Sequence, residues 1–515
     1  MGKKKRAKSI HPMGEREMNG SEPLAVETFA GRVHVEWNPQ AEVTPMGQLP
    51  FFIDFLKTAE LFDPWVKECP VQYKSPNAPS RRDILGTVLL SVLAGHKRYS
   101  HITTIRSDIV NPRLLGMKQV MSEDSVRRAF SKASPKSCAQ WQRNHFRRCW
   151  ELLLYEPWIL DIDSTVKPLY GRQEGAVVGF NPHKPGRPSH VFHTYLIANL
   201  RLILDVEVQP GNQTAGKYAR SGLFDLIESL PEAARPAFIR GDISFGTEAT
   251  IKEAEQRGVD YLFKLRQTKK VKRLIEVLFR DGQWIKAGQG WQGAESSLKL
   301  SGWSCHRRVI VLRRELKGKV VMTRKRGAEE QQEFAFLETA EGVKRYEYAV
   351  LVTSLPDDIE VLAQHYRDRA DAENGFDELK NQWGWGGFTT HDIHRCQVMA
   401  RNTALIYNWW SLFARLAIPD RHAEAITSRP LLLEAVGQQT RHGRQTHLML
   451  TSTHGNYRQL RRILRRLTVF FTWLRSNAEQ LTWVERWRQI LSLALIKFLR
   501  GRLLRPPPIR LGFNP

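Results

Sequence analysis

The amino-acid sequence predicts an α/β fold in which a mixed sheet is covered by helices. Apolar runs of strand length follow one another in the middle of the chain: WILDIDSTV at 158–166, HVFHTYLIANL at 190–200 and LILDVEVQP at 202–210. The link between the last two is so short that they should form an antiparallel hairpin. The strand-like runs AFIRGD (237–242) and DYLFKL (260–265) then alternate with helical patterns, which is typical of α/β sheets.

The order of these elements predicts a more specific core. Three neighbouring strands followed by helix, strand, helix and strand are typical of a ribonuclease H-like fold. The run EYAVLVTSL at 347–355 predicts one further buried strand, after which Asp357 or Asp358 can cap a helix. The core is therefore expected to occupy residues 156–266 and 346–395.

The rest of the chain is expected to form four further regions. Residues 46–155 carry apolar residues at helical spacing, and residues 396–515 form a basic, mostly helical C-terminal domain. Residues 267–345 hold short strand-like runs and glycine turns, which predict a β-rich insertion between the two parts of the core. Residues 1–45 are polar, basic at their start and punctuated by glycine and proline, so a flexible segment is expected there.

The charge of the chain indicates a polyanionic partner. Lysine and arginine number 78 against 53 aspartates and glutamates, which gives a formal net charge of +25 for 515 residues. About half of this excess lies after residue 440, where fifteen basic residues accompany two acidic ones. Such a field attracts polyanions. Nucleic acid, here expected as double-stranded DNA, is the commonest partner of a large basic protein, and a membrane surface is the rival partner.

Other features of the sequence narrow its class and location. The longest apolar run, ILGTVLLSVLAG at 84–95, is too short to cross a bilayer, so no membrane partner is expected. No apolar segment follows the basic start of the chain, which therefore does not have the pattern of a secretory signal. The five cysteines are an odd number without a CxxC pair, which fits a reducing cytoplasm better than a disulfide framework or a structural zinc site.

The N-terminal helical region, residues 46–155, is expected to bind DNA. Within it, SEDSVRRAF at 122–130 begins with a serine that can cap a helix, and it presents Arg127 and Arg128. This is compatible with the reading helix of a helix-turn-helix unit. Short capped helices are also common without such a role, so both interpretations stay open.

Three carboxylates stand where an α/β fold builds its sites. Asp163 closes the run WILDID, Asp242 closes AFIRGD, and Glu373 lies on a late helix. Converging carboxylates would hold divalent metal ions, because Mg²⁺ prefers hard oxygen ligands. Two ions about 4 Å apart can activate a water or a 3′-hydroxyl and stabilise the leaving oxygen of a phosphodiester. Taken singly, each acid could equally cap a turn, end a strand or form a surface ion pair.

The stretch YRDRADAENGFDELK, which begins at Tyr366, has a regular arrangement of functional side chains. At about 100° per residue, Arg369, Glu373 and Lys380 lie within about 60° of Tyr366 on one helix, so all four should face the same way. A solvated helix face shows the same pattern, with Arg369 and Glu373 as an ordinary pair at i and i+4. Gly375 within the helix suggests a close approach or a local bend beside Glu373.

Several sequence blocks together match a known family. The stretch just described fits Y-x2-R-x3-E-x6-K. It is preceded by D-S-T at 163–165, by YGRQEGAVVGFNPHKPGRPSH, by R-G-D at 240–242 and by the predicted insertion. In these features, which cover roughly residues 30–480, the chain resembles the bacterial insertion-sequence transposases that have DDE catalytic residues and the YREK signature.

The resemblance implies two-metal chemistry in a ribonuclease H-like core. Asp163, Asp242 and Glu373 would be the catalytic residues and the ligands of two Mg²⁺ ions, for which Mn²⁺ could substitute. Activated water would nick DNA at the end of the element, and the freed 3′-OH would attack the opposite strand or the target, most simply in cut-and-paste transposition. Asp161 lies two residues before Asp163, so on a strand it faces the same way and could also reach the metals.

Basic side chains would then hold the DNA. By the resemblance, Tyr366, Arg369 and Lys380 grip phosphates of the end being cut, a task that suits residues which position the backbone without reading sequence. In YRQLRRILRRL, 457–467, arginines share one side of a helix and apolar residues the other. We expect the basic side to lie along DNA, and a solvated face is the alternative. Those arginines are Arg458, Arg461, Arg462 and Arg465.

Two other functions fit the same sequence. A metal-dependent nuclease of ribonuclease H-like fold would cut DNA without joining it, and a catalytically silent regulator derived from a transposase would only bind it. The complete set of two aspartates and a glutamate argues against the regulator. Because two DNA ends must be paired before cleavage in such systems, the resemblance also implies a homodimer assembled on DNA, at the nucleoid in the bacterial cytoplasm.

Overall fold

The structure is a computed structural model that describes residues 23–38, 40–73, 78–181, 184–213, 216, 218, 220–316, 345–452 and 455–506. The strands of the described residues are β1 (Leu24–Thr28), β2 (Gly31–Val35), β3 (Val43–Thr44), β4 (Ile159–Pro168), β5 (Val177–Val178), β6 (Pro188–Ile197), β7 (Leu202–Pro210), β8 (Phe238–Gly241), β9 (Tyr261–Lys264), β10 (Ile285–Lys286), β11 (Trp291–Leu298), β12 (Arg307–Glu315), β13 (Tyr346–Thr353), β14 (Gly437–His442) and β15 (Gln445–Leu450). The α-helices are α1 (Leu49–Thr58), α2 (Phe62–Lys67), α3 (Arg81–Leu93), α4 (Val110–Leu114), α5 (Glu123–Arg128), α6 (Pro135–Trp150), α7 (Arg220–Glu228), α8 (Glu248–Gln256), α9 (Lys269–Asp281), α10 (Ile359–Arg367), α11 (Ala370–Gln382), α12 (Ile393–Ala417), α13 (Ala425–Leu432), α14 (Tyr457–Ser476) and α15 (Trp483–Ala494).

A large mixed sheet lies at the centre of the described structure. Its strands follow the order β10-β11-β12-β13-β9-β8-β4-β6-β5, and β7 pairs with β6 outside this path. β8 runs parallel to β4 on one side and to β9 on the other, and the remaining pairs are antiparallel. The predicted α/β class with a mixed sheet and helices is confirmed, as is the predicted hairpin of β6 and β7.

The edge of β7 is closed by side chains of α12. The amide of Asn408 accepts a hydrogen bond from the backbone N–H of Ile203 at 2.9 Å and donates to the carbonyl of the same residue at 2.8 Å. Gln397 accepts from the N–H of Val208 at 2.6 Å and donates to the carbonyl of Val206 at 2.7 Å. These amides therefore satisfy backbone groups that an edge strand would otherwise leave open.

Helix α12 is the centre of a hydrophobic core that spans most of the chain. Most of its 25 residues are buried, and it packs against α1, α3, α6, α14 and α15 as well as β7. The core runs continuously from Met46 to Leu504, so the N-terminal and C-terminal helices share it with the sheet. None of the helices in the described residues, α12 included, combines the length and the apolar character that crossing a bilayer requires.

Two hairpins lie in regions for which the sequence predicts other structure. β1 and β2 pair within residues 1–45, where little order is expected, and every residue of both strands is exposed. β14 pairs with β15 and with β3, although β14 and β15 lie in the region predicted to be mostly helical. Composition and helical periodicity report on single segments, whereas a hairpin depends on the pairing of two, which is why both were missed.

The region predicted as a β-rich insertion extends the central sheet. β10, β11 and β12 continue the sheet beyond β13, and α9 precedes them in the chain. Two of the short strand-like runs expected in this region lie outside the described residues: KVVMTRKR (319–326) and QQEFAFLET (331–339). The buried strand predicted at 347–355 is β13.

The stretch predicted as a single helix after Asp358 is two helices. Asp358 is the N-cap residue of α10, although its side chain makes no capping hydrogen bond, and α11 follows α10 after a short junction. At this junction the N–H of Arg369 bonds to the carbonyl of Tyr366 at 3.2 Å, three residues back instead of four. The tighter turn interrupts the regular spacing, so the prediction that residues 366–380 form one continuous helical stripe is wrong.

The glycine within α11 is expected to be replaceable. A Cβ at Gly375 would lie 3.5 Å from the side chain of Arg201, an ordinary contact, so no close approach demands glycine there. Gly375→Ala should raise the free energy of unfolding by about 0.5–1 kcal/mol, measured by urea denaturation, because alanine favours a helix interior.

Gly384 provides the contrast for this substitution. Its φ is +62°, and a Cβ would lie 2.2 Å from the carbonyl oxygen of His96, so Gly384→Ala should lower the free energy of unfolding. Changes of the same sign in Gly375→Ala and Gly384→Ala would contradict this interpretation of the two glycines.

Candidate active site

Two of the predicted acids lie side by side where the parallel strands β4 and β8 run together. The register of these strands places Asp161 beside Arg240 and Ile162 beside Gly241. Asp163 and Asp242 are the next residues, and they lie on the face that Asp161 and Arg240 share because strand side chains alternate. β8 ends at this point, but β4 continues to Pro168, so Asp163 lies within its strand and not at its end as the sequence suggests.

A buried ion pair lies one pleat below these acids. The guanidinium of Arg240 donates from Nε to Asp161 Oδ1 at 2.5 Å and from Nη2 to Oδ2 at 2.6 Å, and both side chains are almost fully buried. Its third nitrogen, Nη1, donates to the carbonyl of His365 near the end of α10. The sequence leaves Asp161 open as a further metal ligand. In the structure both of its carboxylate oxygens are paired with Arg240 instead.

Arg369 brings the glutamate of α11 to the aspartate of β4. Its Nη1 donates to Glu373 Oε1 at 2.6 Å, and its Nη2 lies 3.4 Å from Asp163 Oδ1. Arg369 is buried, whereas 61% of the Glu373 side chain is exposed. The i and i+4 pair expected from the sequence thus exists, but it lies in the site and not on a solvated face.

The acids and Arg369 interact electrostatically as one group. Burial raises the pKa of Asp163 to about 6, the carboxylates of Asp242 and Glu373 act in the same direction, and the guanidinium of Arg369 opposes the rise. Tyr366 stands in the same group: burial raises its pKa to about 12, and its charge interactions include those with Arg369, Asp242 and Glu373. The structure therefore brings together five of the predicted site residues.

Helix α11 is held in place from its other side. Glu378 is buried and accepts hydrogen bonds from the indole of Trp383 at 3.1 Å, the N–H of Ala425 at 3.0 Å and the ring of His422 at 2.7 Å. Two turns earlier, the guanidinium of Arg201 donates twice to Asp371, at 2.9 and 2.7 Å. These contacts fix the helix that carries Glu373 against α13 and the loop between β6 and β7.

The remaining predicted residues lie away from this group. Lys380 is exposed, two turns beyond Glu373 on α11. The four arginines that the sequence assigns to the basic side of α14 are exposed, while Leu460, Leu464 and Leu467 on the same helix are buried, so its predicted division into a basic and an apolar side is confirmed. Those arginines are Arg458, Arg461, Arg462 and Arg465.

One charged residue of the site was missed. Lys264 ends β9 beside Asp242 and interacts electrostatically with Arg369, Glu373 and Asp242. The signal in the sequence was a lysine near the end of the apolar run DYLFKL, much as Asp242 closes AFIRGD.

The donor atoms of the site fit a divalent metal ion, although their arrangement does not form a coordination sphere. Asp163, Asp242 and Glu373 offer the hard carboxylate oxygens that Mg²⁺ prefers. Across the residues that the structure describes, no three His, Cys, Asp or Glu side chains are grouped so as to hold a metal. Arg369 instead supplies the positive charge between Asp163 and Glu373.

Removing the buried arginine should destabilise the sheet that carries the acids. Arg240→Ala leaves Asp161 buried without a counter-ion, so the free energy of unfolding should fall by about 3–5 kcal/mol in chemical denaturation. The double variant Arg240→Met with Asp161→Leu should recover most of this loss, because apolar residues can replace a buried ion pair. A single variant as stable as the wild type would contradict the importance of the pair.

Comparisons with known proteins show the family of the chain. The family model described as transposase DDE domain group 1 matches residues 73–470, which is more than half of the chain. A cryo-EM structure of a piggyBac transposase synaptic complex with hairpin DNA is similar over 92% of this chain and 89% of its own, at 14% sequence identity and a TM-score of 0.34. No curated protein matches the sequence. From the family match, the chain belongs to the transposases with a DDE domain of group 1.

Proposed function

We propose that this protein is a DNA transposase that binds the ends of a bacterial insertion sequence, cleaves the DNA and joins the 3′-OH ends to target DNA by a cut-and-paste route. The observation that carries the proposal is that Asp163, Asp242, Glu373 and Arg369 lie together in a chain of the DDE transposase family. The YREK branch and a ribonuclease H-like core are part of the same proposal, supported by the sequence blocks and by the mixed sheet.

The three carboxylates are the proposed ligands of two Mg²⁺ ions, or of Mn²⁺ in their place. Such ions supply activation of the attacking oxygen and stabilisation of the leaving oxygen when bound. Asp163 is fixed on β4 and receives a hydrogen bond from the N–H of Ser164 at 2.8 Å, whereas Glu373 comes from a separate helix. Because Asp163 and Glu373 come from different elements, a change in the distance between β4 and α11 would allow the site to close around the phosphodiester.

Arg369 has a double role in this proposal. Without DNA it neutralises Asp163 and Glu373. A guanidinium matches the oxygens of a phosphate as well as those of a carboxylate, so Arg369 would turn to a phosphate when the acids take metal. Tyr366 would donate its hydroxyl to the same backbone, and Lys380 would contact it farther along α11.

DNA is proposed to extend from the core to the surrounding helical regions. The basic face of α14 is exposed and belongs to the region 396–515, while residues 46–155 form the second proposed DNA-binding region around a core of 156–266 and 346–395. In α5, Arg127 and Arg128 both pair with Asp124, at 2.6 and 3.2 Å, and the helix-turn-helix role stays a prediction. Assembly of two copies on paired ends, at the bacterial nucleoid, completes the proposal.

The catalytic assignment is tested by joining assays. Purified protein, Mg²⁺, the DNA that flanks its gene and a target plasmid should give joined products, and Asp163→Ala should give none while it binds the flanking DNA with unchanged affinity. Glu373→Gln should behave in the same way. Asp377→Asn, an exposed acid one turn farther along α11, is the matched control and should join normally.

Each outcome separates the candidate functions. Full strand transfer by Asp163→Ala would contradict its assignment. Cutting without joining by the wild-type protein would favour the nuclease, and binding without cutting would favour the regulator.

The basic face of α14 is tested by the salt dependence of DNA binding. Four arginines on the basic face of α14 are replaced with glutamine. The slope of the logarithm of the DNA association constant against the logarithm of the salt concentration should become shallower by about 0.9 for every phosphate that the helix no longer neutralises. Replacing them with lysine keeps the charge and should leave the slope near that of the wild type. An unchanged slope in the glutamine variant would show that this face is only solvated. The four positions are Arg458, Arg461, Arg462 and Arg465.

A further inference from the structure

Lys264 is a cation at the end of an otherwise buried strand. Tyr261, Leu262 and Phe263 of β9 are buried, and Lys264 is partly buried. β9 runs parallel to β8 with Phe263 beside Gly241, so Lys264 and Asp242 are the next residues of their strands. A lysine at this position therefore projects from the same edge as a proposed metal ligand.

The register of three strands places Lys264 in a row with both aspartates. β4, β8 and β9 are adjacent, and Ile162, Gly241 and Phe263 lie side by side. The next residues are Asp163, Asp242 and Lys264, on one face of the sheet because side chains alternate along each strand. Neighbouring strands are about 4.8 Å apart, so the backbone of β9 at Lys264 is about 5 Å from β8.

The charge of Lys264 is not neutralised by a direct ion pair. Within the part of the chain that the structure describes, no carboxylate lies within 4 Å of its ammonium. The charges that act on it are those of Arg369, Glu373 and Asp242 in the site and that of Glu347 on β13. Burial lowers the pKa of Lys264, Arg369 acts in the same direction, and Glu373 and Asp242 oppose them. The side chain is thus poised beside the acids without being bound to one of them.

The chain after Lys264 carries positive charge away from the site. The segment KLRQTKKVKR, 264–273, contains six basic residues and no acidic one. It leaves β9 and forms the first part of α9, where Lys269, Lys270 and Arg273 are exposed, as is Arg266 before the helix. This is a continuous basic path that starts at the row of acids.

We infer that Lys264 contacts the phosphate under attack, and that the basic segment 264–273 guides the DNA backbone to it. The inference rests on the proposed function. An ammonium next to Asp242 would face the oxygens of a phosphodiester held by the site. It would stabilise the negative charge that builds up on those oxygens in the transition state, a task in which lysine and arginine serve other phosphoryl-transfer sites.

The test compares Lys264→Gln and Lys264→Arg with the wild type in the full-length protein. Single-turnover cleavage of flanking DNA with Mg²⁺ should be slower by about 100-fold or more in Lys264→Gln, the scale expected when one preorganised donor to the transition state is removed. The dissociation constant for the same DNA should change by less than about fivefold, because the rest of the basic surface still binds the backbone. Lys264→Arg should recover part of the rate.

Lys252→Gln is the matched control, since Lys252 is exposed on α8 and lies outside the row. Its cleavage rate should equal that of the wild type. Thermal unfolding should give the same midpoint for all three variants, which separates a contact with DNA from a structural role.

A modified substrate identifies the phosphate concerned. Neutral methylphosphonates are placed singly at the phosphates on either side of the cleaved position and at that position itself. On each modified DNA, Lys264→Gln should cleave more slowly than the wild-type protein. The exception is the DNA in which the methylphosphonate replaces the phosphate that Lys264 binds, where the two proteins should cleave at the same rate.

Two results would overturn the inference. Normal cleavage by Lys264→Gln while Asp163→Ala is inactive would remove the role of Lys264 and leave the proposed function intact. A large fall in the unfolding midpoint of Lys264→Gln, with a normal rate for the folded fraction, would make the lysine structural. Failure of the proposed function would appear instead in the wild-type protein, which would cut without joining or would not cut at all.

Discussion

The buried ion pair between Arg240 and Asp161 is the contact on which the site depends. It ties β8 to β4 with two hydrogen bonds, and its third nitrogen holds the carbonyl of His365, just before Tyr366. Strands and helix are thereby joined at a single buried guanidinium. Because side chains alternate, the next residues on the same face are Asp163 and Asp242, which lie beyond this ion pair.

Beyond this ion pair, the negative charges of the acids are partly offset by the positive charge of Arg369. Burial raises the pKa of Asp163, the carboxylates of Asp242 and Glu373 add to the rise, and the guanidinium of Arg369 offsets it. Each member of the group is a potential ligand for part of a metal-bound phosphodiester: acids for cations, the arginine for phosphate. In the absence of DNA the acids and Arg369 neutralise one another, so the group can be stable. It nevertheless holds the side chains that DNA and metal would separate.

Much of the core could be predicted from the sequence, because its strands are apolar runs and its acids close them. Asp163 and Asp242 were selected because each closes such a run, and Glu373 because it lies on a late helix in the pattern of the family that the chain resembles. The break between α10 and α11 was not predicted, since backbone hydrogen bonds that span three residues, such as that from Arg369 to Tyr366, leave no trace in helical periodicity. The meaning of Lys264 and the burial of Arg369 depend on which strands and helices become neighbours, information that no local pattern contains.

The continuous core around α12 has a mechanical consequence. The side-chain amides of this helix hydrogen-bond to the edge of β7, and its apolar faces pack against helices from both ends of the chain. Such a construction transmits load well, because close-packed interiors have low compressibility. In the proposed complex, tension on DNA bound to α14 would therefore displace the sheet that carries the acids together with the helices around α12, as one rigid unit.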